Sequence, residues 1–137
     1  MKVKRIVQYW DQFRSALVAT IEKFSDDELD TVPFEGGYSV RQIILHIAQE
    51  EYGEIHYCIT RRISEFPPPY AADQYPTIVS LRSLLTSVHN ETLHYLGTLK
   101  DGDLEREVEA GWGGIYALLD MLWHILEHEI HYRGELP

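Results

Sequence analysis

Apolar side chains recur every three or four residues through four long stretches of this chain, and that period predicts helices. Ile6, Tyr9, Trp10, Phe13, Leu17, Ile21 and Phe24 mark a first helix over residues 3–24. Ser25-Asp-Asp-Glu28 has the form of a capping box for a short turn, and Pro33 and Gly36-Gly37 then break the chain. Ser39-Val-Arg-Gln42 is a second capping box. It opens a helix to about Arg62 whose apolar line includes Ile43, Ile44, Ile47, Ile55 and Ile59. Pro67-Pro68-Pro69 excludes helix and marks a stiff connection. Leu81, Leu84, Leu85, Val88, Leu93 and Leu96 place a third helix over about Thr77 to Leu99. The next connection is charged and glycine-bearing, with LEREVE as its strand-like stretch. A fourth helix is expected to start near Gly114 or Ile115.

Four helices in 137 residues predict an all-α, single-domain four-helix bundle spanning residues 1–137. The two later connections are roughly 14 residues each, more than a tight antiparallel hairpin needs, so at least one long crossover is expected. The formal net charge of −10 argues against nucleic acid and against an anionic membrane surface as partners. No apolar run approaches the roughly 18 residues of a spanning helix. The opening MKVKRIVQYWDQ lacks the apolar stretch of a signal peptide. Cys58 is the single cysteine, which rules out an internal disulfide framework and fits a small core residue. A cytoplasmic location is the expectation.

The last helix is apolar on two sides. Ala117, Met121, Ile125 and His128 share one stripe, and Leu119, Trp123, Leu126 and Ile130 share another, with Asp120, Glu127 and Glu129 between them. A helix of that kind is buried throughout or packs its second face on another subunit. A homodimer through the Leu119/Trp123/Leu126/Ile130 face is expected, the alternative being that the first or third helix covers it.

Three of the seven histidines, His124, His128 and His131, fall within eight residues of that helix. The pairs 124/128 and 128/132 have the i,i+4 spacing that lets two side chains converge on one ion, and 128/131 has the i,i+3 spacing. His46 interrupts an apolar run on the second helix, so it is the leading ligand from outside the last helix. Glu50, one turn later, is a candidate ligand, supporting residue or catalytic base. His56, His89 and His94 are read as hydrogen-bonded core or surface residues. Zinc is the default ion for imidazole ligands, with nickel, cobalt, iron and copper as alternatives.

Two segments carry a family likeness. GGYSVRQIILHIAQEE, residues 36–51, resembles the start of helix two in the DinB/YfiT-like superfamily, and LLDMLWHILEHEIHYRGEL, residues 118–136, resembles its terminal H-x-x-H-H-R-G-Q/E motif. The resemblance extends over almost the whole chain in helix order. It implies a bundle in up-down-down-up order, often a homodimer. It also implies a divalent metal held by three histidines, one on helix two and two on the last helix, for which zinc or nickel is the expectation by ligand type. Some members are thiol transferases using bacillithiol or mycothiol, and others are thiol-dependent isomerases. By position, His46 matches the helix-two ligand and His128 the first terminal one. The second terminal ligand falls at Tyr132, while His131 matches the adjacent, non-ligating histidine. Arg133 and Gly134 match the motif, and Glu135 is an allowed variant. Three readings follow: Tyr132 ligates as a phenolate, His131 replaces the missing imidazole, or the metal site has been lost. The first two imply a metal-dependent S-transferase or hydrolase, and the third a non-catalytic dimeric bundle.

Overall fold

The computed structural model describes all of residues 1–137. Its helices are α1 (Val3–Ile21), α2 (Val40–Gly53), α3 (Ile78–Gly97) and α4 (Leu118–Arg133). The predicted capping boxes are formed. The Ser39 hydroxyl accepts from the Gln42 amide while the Gln42 side chain accepts from the Ser39 amide. Around a short 3₁₀ turn the Glu28 carboxylate accepts from both the amide and the hydroxyl of Ser25. Helix α2 does not run on regularly to Arg62. From Glu54 to Ile59 it widens into a π turn, closed by Thr60 N–H donating to the Ile55 carbonyl. Helix α4 starts at Leu118, later than expected. Glu107–Glu109 (β1) and Ile115–Ala117 (β2) pair antiparallel, with Val108 opposite Tyr116. Gly113 and Gly114 make the reversal at φ of +99° and +88°, a conformation costly for other residues, so the chain there is a hairpin and not a first helical turn.

Contacts fix the helix directions. Arg14 of α1 meets Glu51 of α2, with Val3 and Ile59 in one core cluster and Ile21 and Ile43 in the other, so α1 and α2 run opposite. Going along α2 from Arg41 to Glu51, the partners advance from Tyr75 to His89 and Thr92, so α2 and α3 run together. Tyr9 packs on Trp123 and Arg14 binds Glu129, so α1 and α4 also run together. The order is up-down-down-up.

The core has two apolar halves. Ile6, Trp10, Ile55, Leu96, Leu122 and Leu126 belong to one, and Leu17, Ile21, Ile44, Ile47, Leu81 and Leu85 to the other. Between the halves lies a buried polar layer to which every helix contributes. The Arg14 guanidinium donates to both Glu129 oxygens, at 3.3 and 2.6 Å, to the Leu85 carbonyl at 3.1 Å, and to Glu51. Glu51 also accepts from the Thr92 hydroxyl at 2.6 Å and lies 2.9 Å from His89 Nδ1. Burial opposes ionisation of Glu51, but Arg14, His89 and Thr92 outweigh it and hold the carboxyl well below its usual range. Glu129, expected between the two stripes of α4, is instead inside the bundle as a partner of Arg14.

Two further expectations change. Leu126 is fully buried in the chain's own core, so it is not available to a face between subunits. Leu119, Trp123 and Ile130 remain half-buried, and Tyr9 of α1 covers part of Trp123 at a ring separation of 5.6 Å. Leu93 is exposed on the outer side of α3. Cys58 is buried, as expected. No helix is long and apolar enough to cross a membrane.

Removing one partner of a buried ion pair strands the other charge in a medium that solvates it poorly. Arg14→Ala leaves two buried carboxylates without their counter-ion. It is expected to lose about 3–5 kcal/mol of stability. Urea denaturation checks this: the midpoint falls while the slope is unchanged.

Candidate metal centre

Helices α2 and α4 run antiparallel, and each presents polar side chains at four-residue spacing into the groove between them. On α2 and its π turn these are His46, Glu50 and Glu54; on α4 they are Tyr132, His128 and His124. Side chains four apart share a helical face, so the two rows meet as three rungs. The His46 and Tyr132 rings are edge-on at 4.5 Å. Glu50 Oε2 is 4.0 Å from His128 Nε2, and Glu54 Oε1 is 3.0 Å from His124 Nε2. Along the groove the imidazoles follow one another, His46 to His128 at 5.8 Å and His128 to His124 at 5.5 Å between centroids. Trp112, at the hairpin tip, lies beside His124 at 5.1 Å between ring centroids, and this end remains open to solvent. The other end opens at His46 into a cavity of about 230 Å³, lined also by Tyr38, Gln42, Gln49 and Tyr70.

The electrostatics of the groove are uneven. Burial, and then the neighbouring Glu50 charge, push the Glu54 carboxyl up to about 8. Burial lowers the His128 pKa; Glu50 opposes that, while His124, His46 and His131 add to it. Burial raises the Tyr132 phenol, helped by Glu135, Tyr38 and Glu50. Tyr132 therefore stays a phenol near neutral pH, which weighs against a ready-made phenolate ligand.

The residues fit a divalent cation by their donor types and by what they lack. His46 Nε2, His128 Nδ1 and Glu54 Oε2 are buried without a hydrogen-bond partner. Buried polar groups are normally paired. His46 Nε2 stands unpaired beside Glu50, as a ligand position does before its ion binds, whereas His128 turns Nε2, not its unpaired Nδ1, toward Glu50. No three His, Cys, Asp or Glu side chains are already drawn up around one point. His46, Glu50 and His128 approach more loosely, with Glu50 Oε1 3.7 Å from His46 Nε2.

Of the residues singled out in the sequence, His46, Glu50, His128 and Tyr132 come together. His131 does not. Its side chain is 68% exposed and its Nε2 lies 3.5 Å from Glu135, on the side of α4 away from His46. One residue along a helix is a turn of about 100°, which carries His131 out of the groove that His128 and Tyr132 face. His89 is hydrogen-bonded in the polar layer and His94 is exposed; His56, expected to be hydrogen-bonded, is buried beside Tyr52 with its Nε2 unpaired, 3.8 Å from Glu91. Glu54 was missed. Its signal was the H-x-x-x-E-x-x-x-E spacing of residues 46–54, which mirrors H-x-x-x-H-x-x-x-Y over 124–132.

A helical bundle that turns histidines and carboxylates into one interhelical groove defines a class of candidate metal-site proteins. The family within that class is given by comparison: the DinB superfamily model matches residues 9–136, and the chain belongs to this superfamily. A DinB-like protein from Bacillus cereus superposes with a TM-score of 0.76 at 14% identity, over 98% of this chain and 88% of that one. YfiT from Bacillus subtilis, described as a probable metal-dependent hydrolase with an unusual four-helix bundle topology, gives 0.73 at 21%, over 98% and 83%. A mycothiol-dependent maleylpyruvate isomerase gives 0.71 at 17%, over 99% of this chain and 61% of that one. Likeness at these identities shows the fold alone. No curated relative matches the sequence.

The Glu54 carboxyl supplies a pH test. Its folded pKa of about 8 exceeds its ordinary 4.5, so the folded state holds this proton more tightly than the unfolded one. Its contribution is present in full below pH 4.5 and is lost as pH rises through 8. In metal-free protein, the melting temperature of Glu54→Gln is therefore expected to fall less than that of the wild type as pH is raised across this window. Differential scanning calorimetry along a pH series checks it.

Proposed function

We propose that this chain is a metal-dependent enzyme that activates a small nucleophile, a low-molecular-weight thiol of the bacillithiol type or water. It would act as an S-transferase or a related hydrolase. The observation that carries the reading is the pair His46 and His128, converging from α2 and α4, each with a buried ring nitrogen that has no partner. The metal-dependent hydrolase and the mycothiol-dependent isomerase that share the fold make the same chemistry the natural comparison.

His46 and His128 would hold a divalent ion, zinc or nickel by ligand type. Such an ion lowers the pKa of a thiol or water so that the nucleophile is available near neutral pH. The chain's own groups do the rest. His124, one rung along and about 6 Å away by helical rise, accepts the nucleophile's proton, joined by Glu54 as pH rises through about 8, where its carboxyl ionises. Tyr132, kept protonated by its surroundings, donates a hydrogen bond. The cavity beside His46 has the place for an electrophile, with Tyr38 and Tyr70 as apolar walls and Gln42 and Gln49 as polar ones.

The presence of Tyr132 where relatives of this type are expected to carry a third imidazole favours a second reading, a non-catalytic bundle. Metal-dependent stability separates the two. A ligand that binds the native state alone stabilises it by about 2.7 kcal/mol at one hundred times its Kd. Zinc or nickel is expected to raise the melting temperature of the wild type by several degrees, and to leave His46→Ala and His128→Ala unmoved. A wild type that ignores every divalent ion tried would establish the non-catalytic reading. With metal bound, turnover that requires added thiol identifies the transferase, and ester or amide cleavage without thiol identifies the hydrolase.

A further inference from the structure

We infer that the Glu50 carboxylate is the third protein ligand of the metal, giving this chain a two-histidine, one-carboxylate site in which neither Tyr132 nor His131 takes part. The inference rests on the metal reading above and deepens it.

Position is the first argument. Glu50 follows His46 by four residues on α2, so both project into the groove, and His128 enters from α4 opposite them. Glu50 Oε1 is 3.7 Å from His46 Nε2, and its other oxygen, Oε2, is 4.0 Å from His128 Nε2. One carboxylate thus spans the two imidazoles. Donors about 2.1 Å from a tetrahedral ion stand roughly 3.4 Å apart, so each imidazole must draw closer to the carboxylate than it stands here. All three side chains are partly exposed, at 20–28%.

Elimination is the second. His131 turns outward toward Glu135. Tyr132 lies edge-on to His46, ring against ring at 4.5 Å. Glu51, the neighbouring carboxylate, is committed to Arg14, His89 and Thr92 in the core. Glu50 has no hydrogen bond to a donor of that kind and faces two imidazoles.

Charge is the third. Glu50 and Glu54 share one helical face opposite three groove side chains that carry no cation of the Lys or Arg type. A dication between Glu50 and the histidines supplies positive charge to that face. Two neutral imidazoles and one carboxylate are an established donor set for zinc and for ferrous iron, with positions left open for a substrate.

The test is calorimetric titration of zinc chloride into wild type, Glu50→Gln, Tyr132→Phe, His131→Ala and the double variant Glu50→Gln/Tyr132→His. Circular dichroism on each metal-free form confirms that it is folded. The expected result is a loss of about 100-fold or more in affinity for Glu50→Gln, at or beyond the upper end of what outer groups contribute, with Tyr132→Phe and His131→Ala near the wild type. The double variant restores binding, because an imidazole at 132 supplies the missing ligand; a group that merely oriented His46 or His128 would not be rescued in this way. If Glu50→Gln binds zinc like the wild type while Tyr132→Phe or His131→Ala does not, the inference is overturned and the metal reading stands. If the wild type binds no zinc, cobalt or nickel, the metal reading itself has failed.

Discussion

The fold and the groove both depend on one buried guanidinium. Arg14 binds Glu51 of α2 and Glu129 of α4 at once, and through Glu51 it is tied to His89 and Thr92 of α3. Apolar packing alone leaves helices free to slide by a turn at modest cost, because one branched aliphatic side chain fills a hole much as another does. A forked cation shared by two carboxylates tolerates no such slip, since a displaced partner is a charge left unpaired in the interior. The layer therefore sets the axial register of the four helices. It also aligns the groove. Glu51 and Glu129 are held by the same side chain, so the residues just before them, Glu50 and His128, are brought face to face, and the rungs on either side follow at four-residue steps.

The groove differs from that layer in what it leaves undone. In the core every charge has its complement. Between α2 and α4, the carboxylates and imidazoles stand close together with two ring nitrogens and one carboxylate oxygen unpaired. Natural cores rarely tolerate such omissions, and a set of them in one place is the pattern of a site whose remaining partner comes from outside. The π turn belongs to the same picture. It widens α2 just where Glu54 reaches His124, and distortions of this type recur at functional positions in helices.

Much of this was legible in the sequence. Four apolar periods and two capping boxes were enough for the bundle, and terminal residues 118–136 together with His46 pointed to the groove. What escaped notice was polar residues sitting on apolar stripes. Arg14 continues Trp10 toward Leu17, Glu51 lies between Ile47 and Ile55, and Glu129 follows Ile125 by one turn. Read as solvated, they are unremarkable surface charges. Read as stripe positions, they require buried partners of opposite sign, and Arg14 is the cation that satisfies both carboxylates. The start of α4 was misplaced for a different reason. Ile115 and Tyr116 fit helix and strand alike, and the pairing with Glu107–Glu109 that decides between them is non-local.

The dipeptides Glu50-Glu51 and His128-Glu129 have a consequence for how such a chain can diverge. In each, one residue serves the interior and its neighbour serves the groove, about 100° apart around the helix. A single-codon deletion or insertion within α2 or α4 would rotate the two roles into each other, sending the groove carboxylate into the apolar layer and the clamp residue into solvent. Both functions would be lost in one event. The proline-rich crossover and the hairpin around Gly113-Gly114 lie outside that constraint. Length variation among descendants of this sequence should accumulate there and be purged from α2 and α4, so that gaps in the loops and their exclusion from these helices become the evolutionary imprint of the arginine clamp.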